Sequence, residues 1–343
     1  MRDEIAALAT KALGAAALES PSIGYWQSTG SLLFDQMVRG WEYKEGGIPG
    51  GKFTELYGLP GAGKTALAMR VAKQVQESGG LVVFINTSEQ GFNPEWATKI
   101  GVNTESPNGW ILANAFALES CFQFIEDVVL EHYTTDYPVL IIIDSLSGLG
   151  CMDYSMDKST VSANVPAASG AKFLHQWFRR GALYYLSGSR ISIIAIRHLT
   201  ASPRPFSPET TTHGSALNFY AWLRIKMRRE DMADSDTGAR TGMWLHLKIT
   251  KSKVGPPFQE MQMPLYCDRG FDEGLEVIWH LLAIGALEKD KNHRIDWCGT
   301  NLYVRELCKQ YHENSKVRQG LRELVLATAG MQQKKKKKAG KVV

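Results

Sequence analysis

The sequence predicts an α/β protein: a mostly parallel central sheet covered by helices and extended by antiparallel strands. Three observations carry this. Buried-strand runs of branched apolar residues, LVVFIN, VLIIID and ISIIAI, are separated by stretches with helical periodicity. A glycine loop, GLPGAGKT at 58–65, stands between a strand-like and a helix-like segment. Beyond residue 220 the pattern changes to AWLRIKMRR, TGMWLHLKIT and FQEMQMPLY, strand-like runs joined by turns. Such runs suit an antiparallel extension of the sheet.

In chain order, Asp3 to Leu18 reads as an Ala-rich amphipathic helix, either an arm for a neighbouring copy or a cover for its own chain. The next stretch, QSTGSLLFDQMVRGWEYKEGGIPGG, is turn-rich with a short helix in its middle. FTELYG alternates as a strand and stops at the glycine loop, and Lys64 to Glu77 follows as a helix. LVVFIN and WILANAF are further strands, Leu118 to His132 is a helix, and VLIIID is a buried strand. A long helix from about Gly170 to Leu186 leads into ISIIAI. From Asp272 to Gly330 the chain reads as helical, a small separate lobe. The organisation is thus an N-terminal helix and linker (1–27), a core (28–271), a C-terminal lobe (272–330) and a disordered basic tail (331–343).

Charge is unevenly placed. The net charge is +4, and taking away the six lysines after Gln333 leaves a body of −2. Within that body, residues 151–230 hold eleven Lys or Arg against four acids. One basic segment on a mildly acidic body points to a localised anionic partner, or else to arginines scattered over solvated faces. No apolar run approaches the ~20 residues of a membrane span, and the N-terminus lacks a signal-peptide layout. Five cysteines without a CxxC pair argue for reduced thiols in a cytosolic setting and against structural zinc.

The glycine loop fits G-x-x-x-x-G-K-[ST], and its strand-to-helix context gives the pattern physical meaning. Gly58, Pro60, Gly61, Ala62, Gly63 and Ala66 would shape a cradle of backbone N–H groups at the positive end of a helix. Lys64 would reach the terminal phosphates of ATP, and Thr65 would ligate Mg²⁺. Asp144, an acid ending a buried strand about eighty residues on, would hold Mg²⁺ through water. Glu89, just past LVVFIN, is placed to orient an attacking water, though by itself a surface glutamate reads the same way.

From about Ser28 to Asp272 these residues resemble the RecA family. QSTGSLLFDQ resembles its lead-in segment, FTELYGLPGAGKT its phosphate loop, INTSEQGFNPEWATKIGV its catalytic-glutamate segment and IIIDSLSGL its Mg²⁺ strand. SPETTTHGSALNFYAWLRIKMRR is similar to the family's second DNA-binding loop and the strand after it, and KSKVGPPF to its interface lysine segment. The resemblance implies a RecA-like P-loop ATPase core and roles for single residues. Glu89 would activate water, Asn93 and Trp96 would contact and stack on adenine, and Tyr266 would close the pocket from a neighbouring subunit. Lys251 and Lys253 would reach across a filament interface to the γ-phosphate, and Phe219 would relay the nucleotide state. His198 stands where the family usually has a glutamine sensor, as in phage UvsX-type recombinases, which suggests a phage or mobile-element origin.

The two candidate DNA loops are Met152 to Ala168 and Leu199 to Thr212, both polar and both within the basic segment. Lys172, Arg179, Arg180, Arg197 and Arg204 would line a groove that neutralises phosphates. Thr210, Thr211, Thr212, Gly214 and Ser215 belong to the second-loop match. Phe206 would insert between bases, or anchor its loop on the core. The function implied is an ATP-dependent strand-exchange recombinase, a DNA-dependent ATPase that forms helical filaments on single-stranded DNA and pairs it with a homologous duplex. Single-strand-binding and mediator proteins are the further partners of such a protein, and no membrane is implied. The alternatives are a hexameric helicase of the same core fold and a non-enzymatic DNA-binding paralogue. The lysine tail is either a solvated end or a loose attraction for duplex DNA.

Overall fold

The computed structural model describes residues 11, 23–43, 45–89, 91–105, 109–132, 136–151, 164–179, 186–200, 210–211, 216–233 and 238–339. The N-terminal helix read at Asp3 to Leu18 lies outside them, apart from Lys11. A small ribbon of β1 (Trp26–Gln27) and β2 (Ile48–Pro49) encloses α1 (Leu32–Arg39). Then β3 (Phe53–Gly58) feeds the glycine loop and α2 (Lys64–Glu77), followed by β4 (Leu81–Asn86) and α3 (Pro94–Ile100). Next come β5 (Trp110–Asn114), α4 (Leu118–His132), β6 (Val139–Asp144), α5 (Asn164–Arg179) and β7 (Ile191–Thr200). The chain continues through β8 (Thr210–Thr211), α6 (Ala216–Tyr220), β9 (Leu223–Ala233), β10 (Arg240–Ser252), β11 (Glu260–Tyr266) and β12 (Gly270–Phe271).

The large sheet runs β12-β11-β10-β9-β3-β7-β6-β4-β5, with β8 paired to β7. Its strands are parallel from β9 across to β5 and antiparallel from β9 outward. The change of direction therefore falls on β9 itself, which is parallel to β3 on one side and antiparallel to β10 on the other. Alternation divides each central strand between two helix layers. Leu140, Ile142, Ile194 and Ile196 pack with Leu67, Val71 and Val75 of α2. Ile141, Ile143, Ile193 and Ala195 pack with Phe122 of α4 and Leu174, Trp177 and Phe178 of α5. Both faces are apolar because both are covered.

Register sets the working end of this sheet. Gly58 is level with His198 and Met227, and Asn86 is level with Asp144. The carboxyl ends of β3, β4, β6 and β7 thus lie side by side, where open parallel sheets hold their ligands.

Several boundaries differ from the sequence reading. The second loop starts later than Leu199, because Leu199 and Thr200 extend β7 and pair with Thr211 and Thr210. Helix α5 starts at Asn164 and takes up the end of the first loop. The C-terminal lobe is not wholly helical. Between α7 (Glu273–Ala283) and α8 (Val304–Glu313) it carries a hairpin, β13 (Ile295–Trp297) and β14 (Thr300–Leu302). Cys298 and Gly299 turn it, both at positive φ, 52° and 81°. The final helix, α9 (Ser315–Ala339), runs into the lysine tail that the sequence suggested would be irregular. Lys, Gln and Ala are good helix formers, and no Gly or Pro stands between Gly330 and Gly340. Nor is the lobe independent of the core. Leu33 of α1 joins its apolar cluster, and Arg70 of α2 donates to Glu276 of α7 at 3.0 Å with both side chains buried.

Candidate nucleotide site

The glycine loop is shaped by positions that only glycine fills easily. Gly61 and Gly63 take φ of 72° and 81°. At Gly58 a Cβ would come within 2.2 Å of the Met227 carbonyl. Arg229 of β9 donates to the Gly61 carbonyl at 3.1 Å and fixes the loop's crest. Gly63 caps α2 without any side-chain hydrogen bond, so no side chain occupies that cap position at the first turn of the helix.

Lys64 folds back over this cradle and donates to the carbonyls of Gly58 and Leu59 at 3.0 and 2.8 Å. Burial lowers its ammonium to about 8, against the pull of Asp144 and Glu89. Thr65 donates to Asp144 Oδ2 at 2.7 Å. Burial pushes the Asp144 carboxyl upward, opposed by the Thr65 bond and by His198. A hydroxyl and a carboxylate held together beside a phosphate cradle are the oxygen donors a Mg²⁺ ion takes. The uncapped helix start, the inward lysine and this oxygen pair fit a magnesium nucleotide.

Glu89 completes the arrangement. Its Oε2 accepts from Ser145 Oγ at 2.8 Å and pairs with His198 Nε2 at 2.9 Å. A carboxylate oxygen only accepts, so the imidazole proton of this bond sits on Nε2. The backbone around Glu89 is equally tied. Ser145 N–H donates to Thr87 Oγ1 at 3.0 Å, Thr87 N–H to the Asp144 carbonyl at 3.2 Å, and Ser88 Oγ to the Gly148 carbonyl. Gly148 is needed there, since a Cβ would lie 2.5 Å from Thr87 Oγ1 and 3.1 Å from Glu89 Cγ. His198 N–H donates to Ser147 Oγ at 2.9 Å. Sequence reasoning found Glu89, Asp144 and His198 but missed Thr87, Ser145, Ser147, Gly148 and Arg229, whose roles depend on strand ends far apart in the chain.

Residues 16–272 match the RecA N-terminal domain family. The chain belongs to the RecA family. Among its relatives are Protein RecA of Helicobacter hepaticus, 30% identical over 274 residues, covering 76% of this chain and 72% of that one. Protein RecA of Ureaplasma parvum is 30% identical over 268 residues, covering 77% and 74%. Protein RecA of Thermus thermophilus is 28% identical over 275 residues, covering 76% and 72%.

Within this RecA-family core, Asn93 and Trp96, two of the residues read as adenine contacts, belong to the start of α3. Asn93 caps that helix, its Oδ1 accepting from Trp96 N–H at 3.0 Å, and Trp96 packs half-buried on the core. Tyr266 pairs with Gly270, which lies against Lys99 and Ile100 of the same helix. Its ring lies with Arg269, Asp272 and Cys308, on the side of the C-terminal lobe. The Arg269 guanidinium covers its ring at 3.6 Å.

Lys251 and Lys253 lie elsewhere. Lys251 is level with Arg224, and the Lys253 N–H donates to the Trp222 carbonyl at 2.8 Å. Trp222 in turn bonds Phe53 at the start of β3, five residues before Gly58. At about 3.3 Å per residue the two lysines sit roughly 10–17 Å down the sheet from the glycine loop of their own chain. Lys251 Nζ donates to the carbonyls of Asn218 and Phe219 at the end of α6, and Phe219 is 64% exposed.

Of the residues read as lining a DNA groove, Lys172 and Arg179 are exposed on α5, and Thr210 and Thr211 form β8. Arg180, Arg204, Phe206, Thr212, Gly214 and Ser215 fall outside the described residues. Arg197 must be withdrawn from the groove. It is fully buried, and its Nη1 donates to Glu55 Oε1 at 2.8 Å. On β7 it shares the face of Ile193 and Ala195, which is covered by helices.

Among the described residues no helix is long and apolar enough to cross a membrane, and no His, Cys, Asp and Glu cluster could hold a metal. The five cysteines are free thiols.

Proposed function

We propose that the protein is an ATP-dependent recombinase that assembles as a helical filament on single-stranded DNA and pairs it with a homologous duplex. The observation that carries this reading is the bond from His198 to Glu89. His198 lies on the same strand as Leu199 and Thr200, from which the second loop departs. The γ-phosphate side of the nucleotide site and the root of a DNA loop are therefore one piece of backbone.

In this mechanism Lys64 holds the terminal phosphates of ATP, Asn93 and Trp96 contact the base, and Tyr266 closes the pocket from a neighbouring subunit. Thr65 and, through water, Asp144 would hold Mg²⁺, which supplies neutralisation of the phosphate charge. Glu89 accepts the proton of a water whose oxygen attacks the γ-phosphorus. The bond to the β–γ bridging oxygen breaks, giving ADP and phosphate. Lys251 and Lys253 serve the site of a neighbouring subunit, and their distance down the sheet from their own glycine loop supports that. Phe219 carries the nucleotide state across the same contact. Lys172, Arg179, Arg180 and Arg204 neutralise DNA phosphates, Phe206 stacks between bases, and Thr210, Thr211, Thr212, Gly214 and Ser215 shape the second loop. The setting is a cytoplasm that supplies single-strand-binding and mediator proteins.

Electron microscopy on single-stranded DNA, with and without a non-hydrolysable ATP analogue, tests the assembly, and a strand-exchange assay tests the activity. Analogue-dependent helical filaments and joint molecules are expected. Closed rings that unwind duplex DNA would mean a helicase instead.

A further inference from the structure

Around the start of β3, away from the glycine loop, cations gather on a single indole. Lys52, buried just before β3, places its ammonium 4.3 Å from the centre of the Trp222 ring. The Lys253 ammonium lies 5.5 Å from the same ring. The indole is held by its own backbone, since Trp222 N–H donates to the Phe53 carbonyl at 2.9 Å and its carbonyl accepts from Lys253 N–H at 2.8 Å. Lys251 and Arg224 are close by, two register steps along β9 and β10. The carboxylate in the described contacts of this cluster is Glu55, already shared by Arg197 and Arg224.

Two ammonium groups on one ring repel each other, and only one of them can move. Lys52 is buried with its Nζ 3.4 Å from Ser187 Oγ, whereas Lys253 is exposed. The negative face of an indole attracts a cation without neutralising it. A carboxylate in the same place would satisfy Lys253 and compete with any incoming anion. The indole instead holds the ammonium in place while Lys52 pushes it outward, leaving its charge available.

We propose that Trp222 is a positioning residue of the subunit interface, whose π-face, with Lys52 fixed beside it, presents Lys253 to the triphosphate bound by a neighbouring copy. This rests on the reading of Lys253 as acting in trans.

The test replaces Trp222 alone, in the full chain, by mono-, di- and tetrafluorinated tryptophan. Fluorination drains the π-face while nearly preserving the ring's size. ATPase stimulated by single-stranded DNA is measured in the otherwise unaltered chain and in Lys253→Ala. The expected result is a stepwise fall in kcat, roughly two- to five-fold across the series, with KM for ATP changed less. The fall should vanish in the Lys253→Ala background, and Trp222→Phe should retain more activity than Trp222→Leu. A flat series, or an equal fall without Lys253, would overturn the role of Trp222 and leave that of Lys253 standing. Full activity in Lys253→Ala itself would overturn both.

Discussion

His198 Nε2 stands 2.9 Å from Glu89 Oε2, and Ser145 Oγ donates to that same oxygen at 2.8 Å. One oxygen of the carboxylate is thus held by two donors. The donors come from the ends of β6 and β7, so the carboxylate is oriented by the sheet and not by its own loop alone.

Glu89→Gln should keep the shape of this contact and remove the base. ATP and DNA binding are expected to persist while hydrolysis falls by about 10²-fold or more. Single-turnover ATPase beside a filter-binding assay checks this, and undiminished hydrolysis would mean that another group activates the water.

Lys251 supplies a pH dependence. Burial, then repulsion from Lys253 and Arg224, lowers its ammonium to about 8. A lysine lowered on folding loses its proton from the folded chain first. Stability therefore gains slightly as pH rises from about 8 towards the unfolded value, while charge for a partner's phosphate is lost. DNA-stimulated kcat/KM should fall as pH passes through about 8. Lys251→Arg, which keeps its charge, should flatten that limb. An identical limb in the arginine variant would assign the titration to another group.

Glu55 tests the buried network. It is fully buried and accepts from both Arg197 and Arg224. Glu55→Gln would leave two guanidinium groups without their counter-charge and should cost about 3–5 kcal/mol in urea unfolding. A change within about 0.5 kcal/mol would show that the arginines find other partners.

Removing residues 334–343 takes away six lysines. If they touch duplex DNA, the log–log salt dependence of duplex binding should flatten by about 0.9 for each phosphate that the shortened chain no longer neutralises. An unchanged slope would mean that the tail does not touch the duplex.

Much of the fold was legible because local pattern and tertiary environment agree. The helices expected at Lys64 to Glu77 and Leu118 to His132 have those bounds in the structure. The branched runs became β4, β6 and β7 because both faces of those strands are buried. Arg197 was misread because its basic surroundings suggested a groove, and its partner Glu55 lies 142 residues away. Alternation held the missing signal: Arg197 follows Ile193 and Ala195 on one face, and Glu55 sits within an equally buried strand. The β13–β14 hairpin escaped notice because a cysteine at φ 52° is an unusual turn residue. At the nucleotide site the charged residues carry recognisable motifs, whereas Ser145 and Thr87 act only through neighbours that the sheet brings to them.

The central claim is that ATP is hydrolysed between subunits, with Lys64 on one side and Lys251 and Lys253 on the other. The most direct measurement mixes two inactive variants, Lys64→Ala and the double variant Lys251→Ala, Lys253→Ala, on single-stranded DNA. Some interfaces in a mixed filament join an intact glycine loop to intact lysines, so part of the ATPase should return, with recovery greatest near equal proportions. With co-assembly verified by fluorescence energy transfer, a mixture that stays inactive at every ratio would contradict the account.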